Sequence, residues 1–352
     1  MTFNRVIQAD AAFDLCVTGL KDVGCDSFTQ KSVARGLVET SLRGVDSHGL
    51  RLLPHYLRSA KHGRKNATPN FRIKTVFPSI LSLDADNAFG HAAGFYSIDK
   101  ATEVALSQGV CAVSVFNSSH PGAMASFALE AARKGYACFA FTNADSLLIS
   151  SNGRRPFFGT NPICFAAPRG EGYDQFCLDM APTFISWNKL KALRLENIPL
   201  PAGVAADSEG LEVTDGWMAS SLFPIGDYKG YGLAAMVEVL CGILSGGGWG
   251  RDLPAMFDSP MNKGRNLSQF YLVMRVDISN SLDQFKARMV RLSQEISDEP
   301  SRDSESRVLL PNDIEISSYK VRSDNGIPLP DSIYSELKTE LEELGKSIDK
   351  YL

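Results

Sequence analysis

The sequence predicts a mixed α/β protein with a β-rich centre and helical ends. Three observations carry that expectation. Residues 110–116, 121–134 and 138–142 read in turn as strand, helix and strand, a unit that makes a parallel strand pair. Residues 1–62 place apolar side chains at helical spacing. From Leu282 onward the chain is charge-rich and helical again. A chain of 352 residues carries a prior of two domains at about 150 residues each, and it buries a full core without staples.

Taken in order, Ser27 is the expected cap of a helix through Leu42, with Val33, Leu37, Val38 and Leu42 on one stripe and Gly44 as the stop. Asp46 or Ser47 opens a second helix, with His48, Arg51 and His55 along one face and Leu50, Leu53 and Leu57 along another. Pro54 fits that helix only in its first turn. Strands are expected at Ile80–Leu83, Val110–Phe116, Cys138–Thr142, Ile163–Ala167, Phe176–Leu178 and Phe270–Asp277. Helices are expected at Ile98–Gln108 and Pro121–Lys134, the latter with Pro121 in first position behind Ser118 and Ser119 as cap candidates. After Ser220–Ile225, a glycine-broken turn leads to an apolar helix over Leu233–Ser245. Glu299–Arg307 reads as a polar surface loop, and residues 326–330 break the chain before a final helix through Lys350.

Composition removes several classes. A net charge of −4 gives no bulk attraction to nucleic acid or anionic lipid. Seven widely spaced cysteines without a CxxC pair argue against a disulfide scaffold or zinc ribbon, and fit a reducing, cytoplasmic setting. Residues 1–10 have no apolar signal-peptide core. The longest apolar tract, residues 231–243, is interrupted by Glu238 and too short to span a bilayer. There is no Walker A loop, HExxH, GxSxG or His/Cys cluster at metal spacing, so no metal site is expected. A soluble enzyme is the reading that remains.

Three short segments concentrate reactive side chains. In Asp46-Ser47-His48-Gly49-Leu50-Arg51, a histidine near a helix N-terminus is kept neutral by free amides, and an arginine one turn on can hold a carboxylate in a bidentate fork. The same segment also reads as a capped helix with a surface histidine. In Asn117-Ser118-Ser119-His120-Pro121-Gly122, a histidine follows the carboxyl end of a strand, the edge where α/β sheets bind ligands, and Gly122-Ala123 lets a ligand approach the backbone. A loop histidine bound to a carbonyl is the competing reading. In Gly226-Asp227-Tyr228-Lys229-Gly230-Tyr231-Gly232, a glycine-rich turn opens a helix and offers amides and a lysine to a phosphate. Gly230-x-Gly232-x-x-Ala235 matches the dinucleotide fingerprint formally, but no βαβ unit closes around it, so a Rossmann reading fails. Glycines for close helix packing explain the same run. Asp179, after the strand at 176–178, can cap a helix or bind a ribose.

Together these segments resemble the malate/L-lactate dehydrogenase family, which also holds sulfolactate, ureidoglycolate and diketogulonate enzymes and cyclic imine reductases. The resemblance rests on ETSLRGVDSHGLRLLPHYL (39–57), SSHPGAMASFALEAARKGYACFAFTNAD (118–145) and NGRRPFFGTNPICFAAP (152–168). It continues through LDMA (178–181), FPIGDYKGYGLAAMVEVLCGILSG (223–246) and GIPLP (326–330). It implies a three-layer, sulfolactate-dehydrogenase-like α/β fold with a non-Rossmann cofactor domain and a helical domain. The corresponding boundaries are residues 75–281 for the NAD(P) domain, and 1–74 with 282–352 for a discontinuous helical substrate and dimer domain.

The implied activity is hydride transfer between NAD or NADP and a small 2-hydroxy acid/2-oxo acid pair, in a homodimer. His120 would be the general acid/base, a role that some members give to the histidine at His48. Arg51 would grip the substrate carboxylate, with Ser47, His48 and Thr160 beside it. The cofactor would run along Asn143, Ala144 and Asp145, Asp179, Met180 and Ala181, Tyr228 and Lys229, and Pro311, Asn312 and Asp313. Two departures fall at the pocket. Pro121 stands where many members have phenylalanine, and Leu147 stands where some carry a lysine, which counts against an imine or ureido substrate of that subtype. A cyclic imine reductase on the same scaffold and a non-catalytic nucleotide-binding member are the rival expectations.

Overall fold

The computed structural model describes residues 5–303 and 306–352. Residues 1–4 of the N-terminal helical reading, and 304–305 of the polar loop, lie outside them. The helices are α1 (Ala9–Asp22), α2 (Ser27–Leu42), α3 (Leu53–Lys61), α4 (Gly90–Gln108), α5 (Ala125–Arg133), α6 (Trp187–Leu195), α7 (Tyr228–Glu238), α8 (Leu282–Ser297), α9 (Asp313–Asn325) and α10 (Asp331–Glu342). The central sheet has seven strands: β1 (Arg72–Phe77), β2 (Ile80–Asp84), β3 (Val110–Ser118), β4 (Tyr136–Thr142), β5 (Ile163–Ala167), β6 (Phe176–Met180) and β7 (Leu267–Arg275). Their spatial order is β1-β2-β3-β7-β4-β5-β6.

The strand–helix–strand unit β3-α5-β4 is present, but its strands are not neighbours. β7 lies between them and pairs antiparallel with both, Tyr271 facing Val113 on one side and Ala140 on the other. The expected hydrogen-bonded parallel pair is therefore corrected: β3 and β4 run parallel one strand apart. Alternation along the chain fixes a strand's faces, while a distant segment decides its neighbour. The parallel neighbours in this sheet are β2 and β3.

Local chemistry shifts several boundaries. Asp26, not Ser27, caps α2, its carboxylate accepting from Thr29 N at 2.7 Å. The expected helix from Asp46 is two 3₁₀ turns, Asp46–His48 and Leu50–Leu52, ahead of α3. Gly49 divides them where the backbone passes so close to α2 that a Cβ would lie 2.1 Å from Ser41 Oγ. That hydroxyl accepts from Leu50 N at 2.9 Å. Pro54 does sit in the first turn of α3. α5 starts at Ala125, so Pro121 lies in a loop and is not its first residue. Ser118 ends β3, and Ser119 Oγ accepts from Gly90 N at 3.1 Å, serving the start of α4 instead. α7 begins at Tyr228 and continues as a π-helical turn, Val239–Ile243. Within 220–225, Ser221–Leu222 form a two-residue strand, and α10 ends at Glu342 before a 3₁₀ turn, Ile348–Tyr351.

Apolar burial organises the layers. α4 and α5 bury Phe95, Ile98, Phe127 and Leu129 against Val113, Cys138 and Tyr271 of the sheet. A second cluster joins α1, α2 and α3 to Ile327, Leu337 and Leu341 from the C-terminal part, where Val6–Ile7 pairs with Ile327–Pro328. A third, smaller cluster packs Leu190 of α6 on Leu200, Val204 and Leu222. α8 packs Leu282 and Phe285 on the sheet through Ala137 and Val276. All seven cysteines are buried and unbridged. Among the described residues, no helix is long and apolar enough to cross a membrane, and no group of three or more His, Cys, Asp or Glu side chains is placed to hold a metal.

Candidate active site

His120 leaves the end of β3 in the loop before α5, and His48 closes the first 3₁₀ turn after α2. The two elements meet so that the imidazoles stack, centroids 5.6 Å apart and planes 21° from parallel. Each ring is anchored through Nδ1: His48 to Ser47 Oγ at 2.8 Å, and His120 to Tyr56 Oη at 2.8 Å. Nε2 of His120 has no hydrogen-bond partner among the described residues and is not sealed in the interior, so it is the nitrogen left to the cavity.

Both histidines are held in the uncharged state. Burial lowers His48 to about 4, with Arg51 adding to the effect. The expectation that helix amides would keep it neutral is thereby corrected to desolvation. His120 is driven well below its usual value, first by burial and then by its coupling to His48, Arg265, Lys65 and His91. Behind it, Lys65 is buried without a hydrogen bond, its Nζ 3.6 Å over the Tyr56 ring. His55, expected on the face of His48 and Arg51, is buried in α3 with its ring 5.1 Å from Phe257.

A cleft of two chambers meets at His48, Thr160 and Ser186. The smaller chamber, about 430 Å³, holds His120, Ala144, Asp145, Leu147, Lys191 and Phe257. The larger, about 550 Å³, is walled by Ser47, residues 122–126, Asp179, Met180 and Ala181, and Leu310, Pro311 and Asn312. Such volumes suit small-molecule ligands. Gly122 adopts φ +76°, and a Cβ there would meet His91 Nε2 at 2.5 Å, so this wall tolerates no side chain.

The candidate residues divide by what already occupies them. Asn143 is buried and committed to the fold, donating to Gly248 O at 3.0 Å and accepting from Ser268 N at 2.9 Å. Asp145 pairs with the fully buried Arg265 and accepts from Met256 N. Asp179 takes the capping option, accepting from Ala125 N at 2.8 Å at the start of α5. Desolvation at the cleft wall pushes its carboxyl up to about 6 against the lowering pull of the Ala125 N–H, a shift that solvent screens because much of the residue stays exposed. Asn312 bonds to Arg43 and to Gln175 O, and Asp313 turns away to Leu310 N and Arg307. Tyr228 and Lys229 are exposed at the start of α7, and line neither chamber.

Arg51 also lines neither chamber. It is half-buried, makes no ion pair or hydrogen bond among the described residues, and lies near enough for its charge to act on both His48 and Lys191. Four residues that the sequence did not single out belong to the site: Tyr56, Lys191, Arg43 and Arg265. Tyr56 lies within the PHYL run, where its partner 64 residues away leaves no local signal. Lys191 looks like any solvated lysine of an amphipathic helix.

The malate/L-lactate dehydrogenase family model matches residues 7–338. The chain belongs to that family. It is 32% identical over 323 residues to the ureidoglycolate dehydrogenase (NAD(+)) of Escherichia coli K12, covering 92% of this chain and 90% of the relative. It is 30% identical over 337 residues to the (2R)-3-sulfolactate dehydrogenase (NADP(+)) of Chromohalobacter salexigens, covering 95% and 98%. Its fold is similar to that of the sulfolactate dehydrogenase from Methanocaldococcus jannaschii, with a TM-score of 0.91, 27% identity and 99% of each chain covered. The expected sulfolactate-dehydrogenase-like α/β architecture is thus the one observed, and by family the chain is a dehydrogenase.

Proposed function

We propose that this family member interconverts a small 2-hydroxy acid and its 2-oxo acid with NAD or NADP, in the cleft around His48 and His120. The observation that carries the reading is the cavity-facing Nε2 of His120, fixed from behind by Tyr56. The larger chamber fits a dinucleotide: it opens onto the histidines, its floor at Gly122 is bare backbone, and buried Arg43 gives it a cation. When bound, the nicotinamide supplies or accepts the hydride.

The chain's own groups handle the proton and the carboxylate. His120 Nε2 takes the hydroxyl proton in oxidation and returns it in reduction. Held neutral at pH 7, the ring is in its accepting state. For Nε2 to accept, the neutral ring carries its one proton on Nδ1, which donates to the Tyr56 hydroxyl, and the charged ring keeps that same bond. Arg51 holds the substrate carboxylate, with Ser47 and Thr160 beside it; such positioning contributes several kcal/mol.

Two copies of the chain pair through α7 and its continuation, where Tyr228, Leu233, Met236, Val239, Ile243 and Leu244 are exposed. Residues 1–74 with 282–352 form the helical substrate domain around a cofactor domain at 75–281, and the dimer contact expected of the helical domain is assigned here to α7 of the cofactor domain. The buried, unbridged cysteines fit a cytoplasmic setting.

The test is a panel of 2-oxo acids and cyclic imino acids assayed by absorbance with NADH and NADPH. Reduction of 2-oxo acids supports the reading. Reduction of imino acids alone replaces it with an imine reductase, and failure to bind either dinucleotide by calorimetry replaces it with a non-catalytic member.

A further inference from the structure

We propose that Phe257 is a specificity-determining residue of this site: its ring is the surface on which an apolar side chain of the 2-hydroxy acid, longer than a methyl group, packs. The proposal rests on the functional reading above and names what that site selects.

Phe257 belongs to a loop, residues 254–260, that two buried arginines hold by its carbonyls. Arg64, with no exposed surface, donates from Nη1 to Met256 O at 2.6 Å, and from Nη2 to Ser259 O at 2.6 Å and Pro260 O at 3.1 Å. Arg265 donates from Nε to Pro254 O at 2.9 Å. Between the anchored carbonyls of 256 and 259, Phe257 and Asp258 turn their side chains to the chamber that holds His120. A wall fixed in this way is preorganised, so contact with it costs a complex little ordering.

The ring is held but not covered. His55 meets it at a centroid distance of 5.1 Å, and the Lys191 ammonium lies 4.1 Å from its centroid. The residue is still 42% exposed. A large apolar surface left open inside a ligand chamber marks a contact surface, and Leu147, Trp187 and Leu253 extend it. The charged side chains of the chamber answer one another. Lys191 has Asp258 and Asp145 as counter-charges, Asp145 also pairs with Arg265, and Arg251 turns to Pro156 O and to the ring of Phe157. What is left for a side chain beyond the reacting carbon is apolar wall. At about 430 Å³ the chamber is also larger than pyruvate fills. One methylene more or less in such a pocket changes kcat/KM roughly 10–200-fold.

The test compares substrates that differ in the side chain alone. Wild type, Phe257→Ala and Phe257→Leu are assayed with 4-methyl-2-oxopentanoate, pyruvate and oxaloacetate, using both reduced cofactors. Wild type is expected to favour 4-methyl-2-oxopentanoate. Phe257→Ala is expected to lower the kcat/KM ratio of 4-methyl-2-oxopentanoate to pyruvate about ten-fold or more, and Phe257→Leu, which keeps apolar surface, to lower it by less than about three-fold. The ratio compares two substrates on one preparation, so any loss of folded protein cancels from it. A ratio unchanged in Phe257→Ala overturns the proposal, as does a wild-type preference for oxaloacetate or pyruvate. Wild type inert towards every 2-oxo acid overturns the functional reading, and this proposal with it.

Discussion

Tyr56 Oη lies 2.8 Å from Nδ1 of His120, and the phenol behind that contact is fully buried between Phe89, His91 and Lys65. Tyr56→Phe keeps this packing and removes only the partner of Nδ1. Leaving one buried imidazole nitrogen unsatisfied costs about 1–3 kcal/mol, so turnover is expected to fall roughly ten-fold with little change in melting temperature. Equal rates for Tyr56→Phe and wild type in single-turnover assays reject a positioning role.

His120→Ala is expected to lower turnover by about two to four orders of magnitude with dinucleotide affinity nearly intact. Cofactor titration by fluorescence checks the second half. Wild-type turnover in this variant moves the proton-transfer role to His48.

His120 is held well below its ordinary value, so hydroxy-acid oxidation should stay flat as pH falls through 6.5 and decline only in more acidic buffer. A decline of kcat/KM centred at 6.5 contradicts the buried, cation-surrounded environment.

The buried histidines also couple folding to pH. His55 is lowered to about 2 and His91 to about 3, against an unfolded value near 6.5. The unfolded chain therefore binds more protons below 6.5. Stability is fully present above that pH and is lost as pH falls towards the folded values, at about 1.4 kcal/mol per pH unit for each histidine that charges on unfolding. Urea midpoints should drop between pH 6.5 and 5, above the range where most carboxylates titrate. Replacing His91 by Gln should shallow that slope; an unchanged slope removes His91 from the account.

Arg265 is almost wholly buried and its carboxylate partner Asp145 is largely so. Arg265→Met strands that carboxylate in the chamber wall and is expected to destabilise the fold by about 3–5 kcal/mol. Adding Asp145→Asn should recover part of the loss, measured by urea denaturation. No recovery in the double variant would show that the two side chains act independently.

The sequence disclosed what neighbouring residues decide. The strand at Ile163–Ala167 is found as read, and Gly44, at φ +80°, ends α2 as its position suggests. Contacts between distant segments stayed hidden. Nothing near residues 110–142 announces that β7 will separate the two strands there. Nothing near His120 announces Tyr56. Motif content also hid what these side chains hold within the fold: the polar atoms of Asn143 and Asp145 serve Ser268, Gly248 and Arg265.

The placement of β7 orders the birth of the protein. As the chain emerges from its N-terminus, β3 and β4 are complete long before Leu267–Arg275 arrives. Until then neither strand has the neighbour that joins them in the finished sheet, and each would present an unpaired edge. Joining them depends on contacts between residues far apart in the chain, which slows folding and leaves both edges open to foreign strands meanwhile. A nascent chain ending before residue 275 therefore carries most of the catalytic cleft's sequence and none of its continuity.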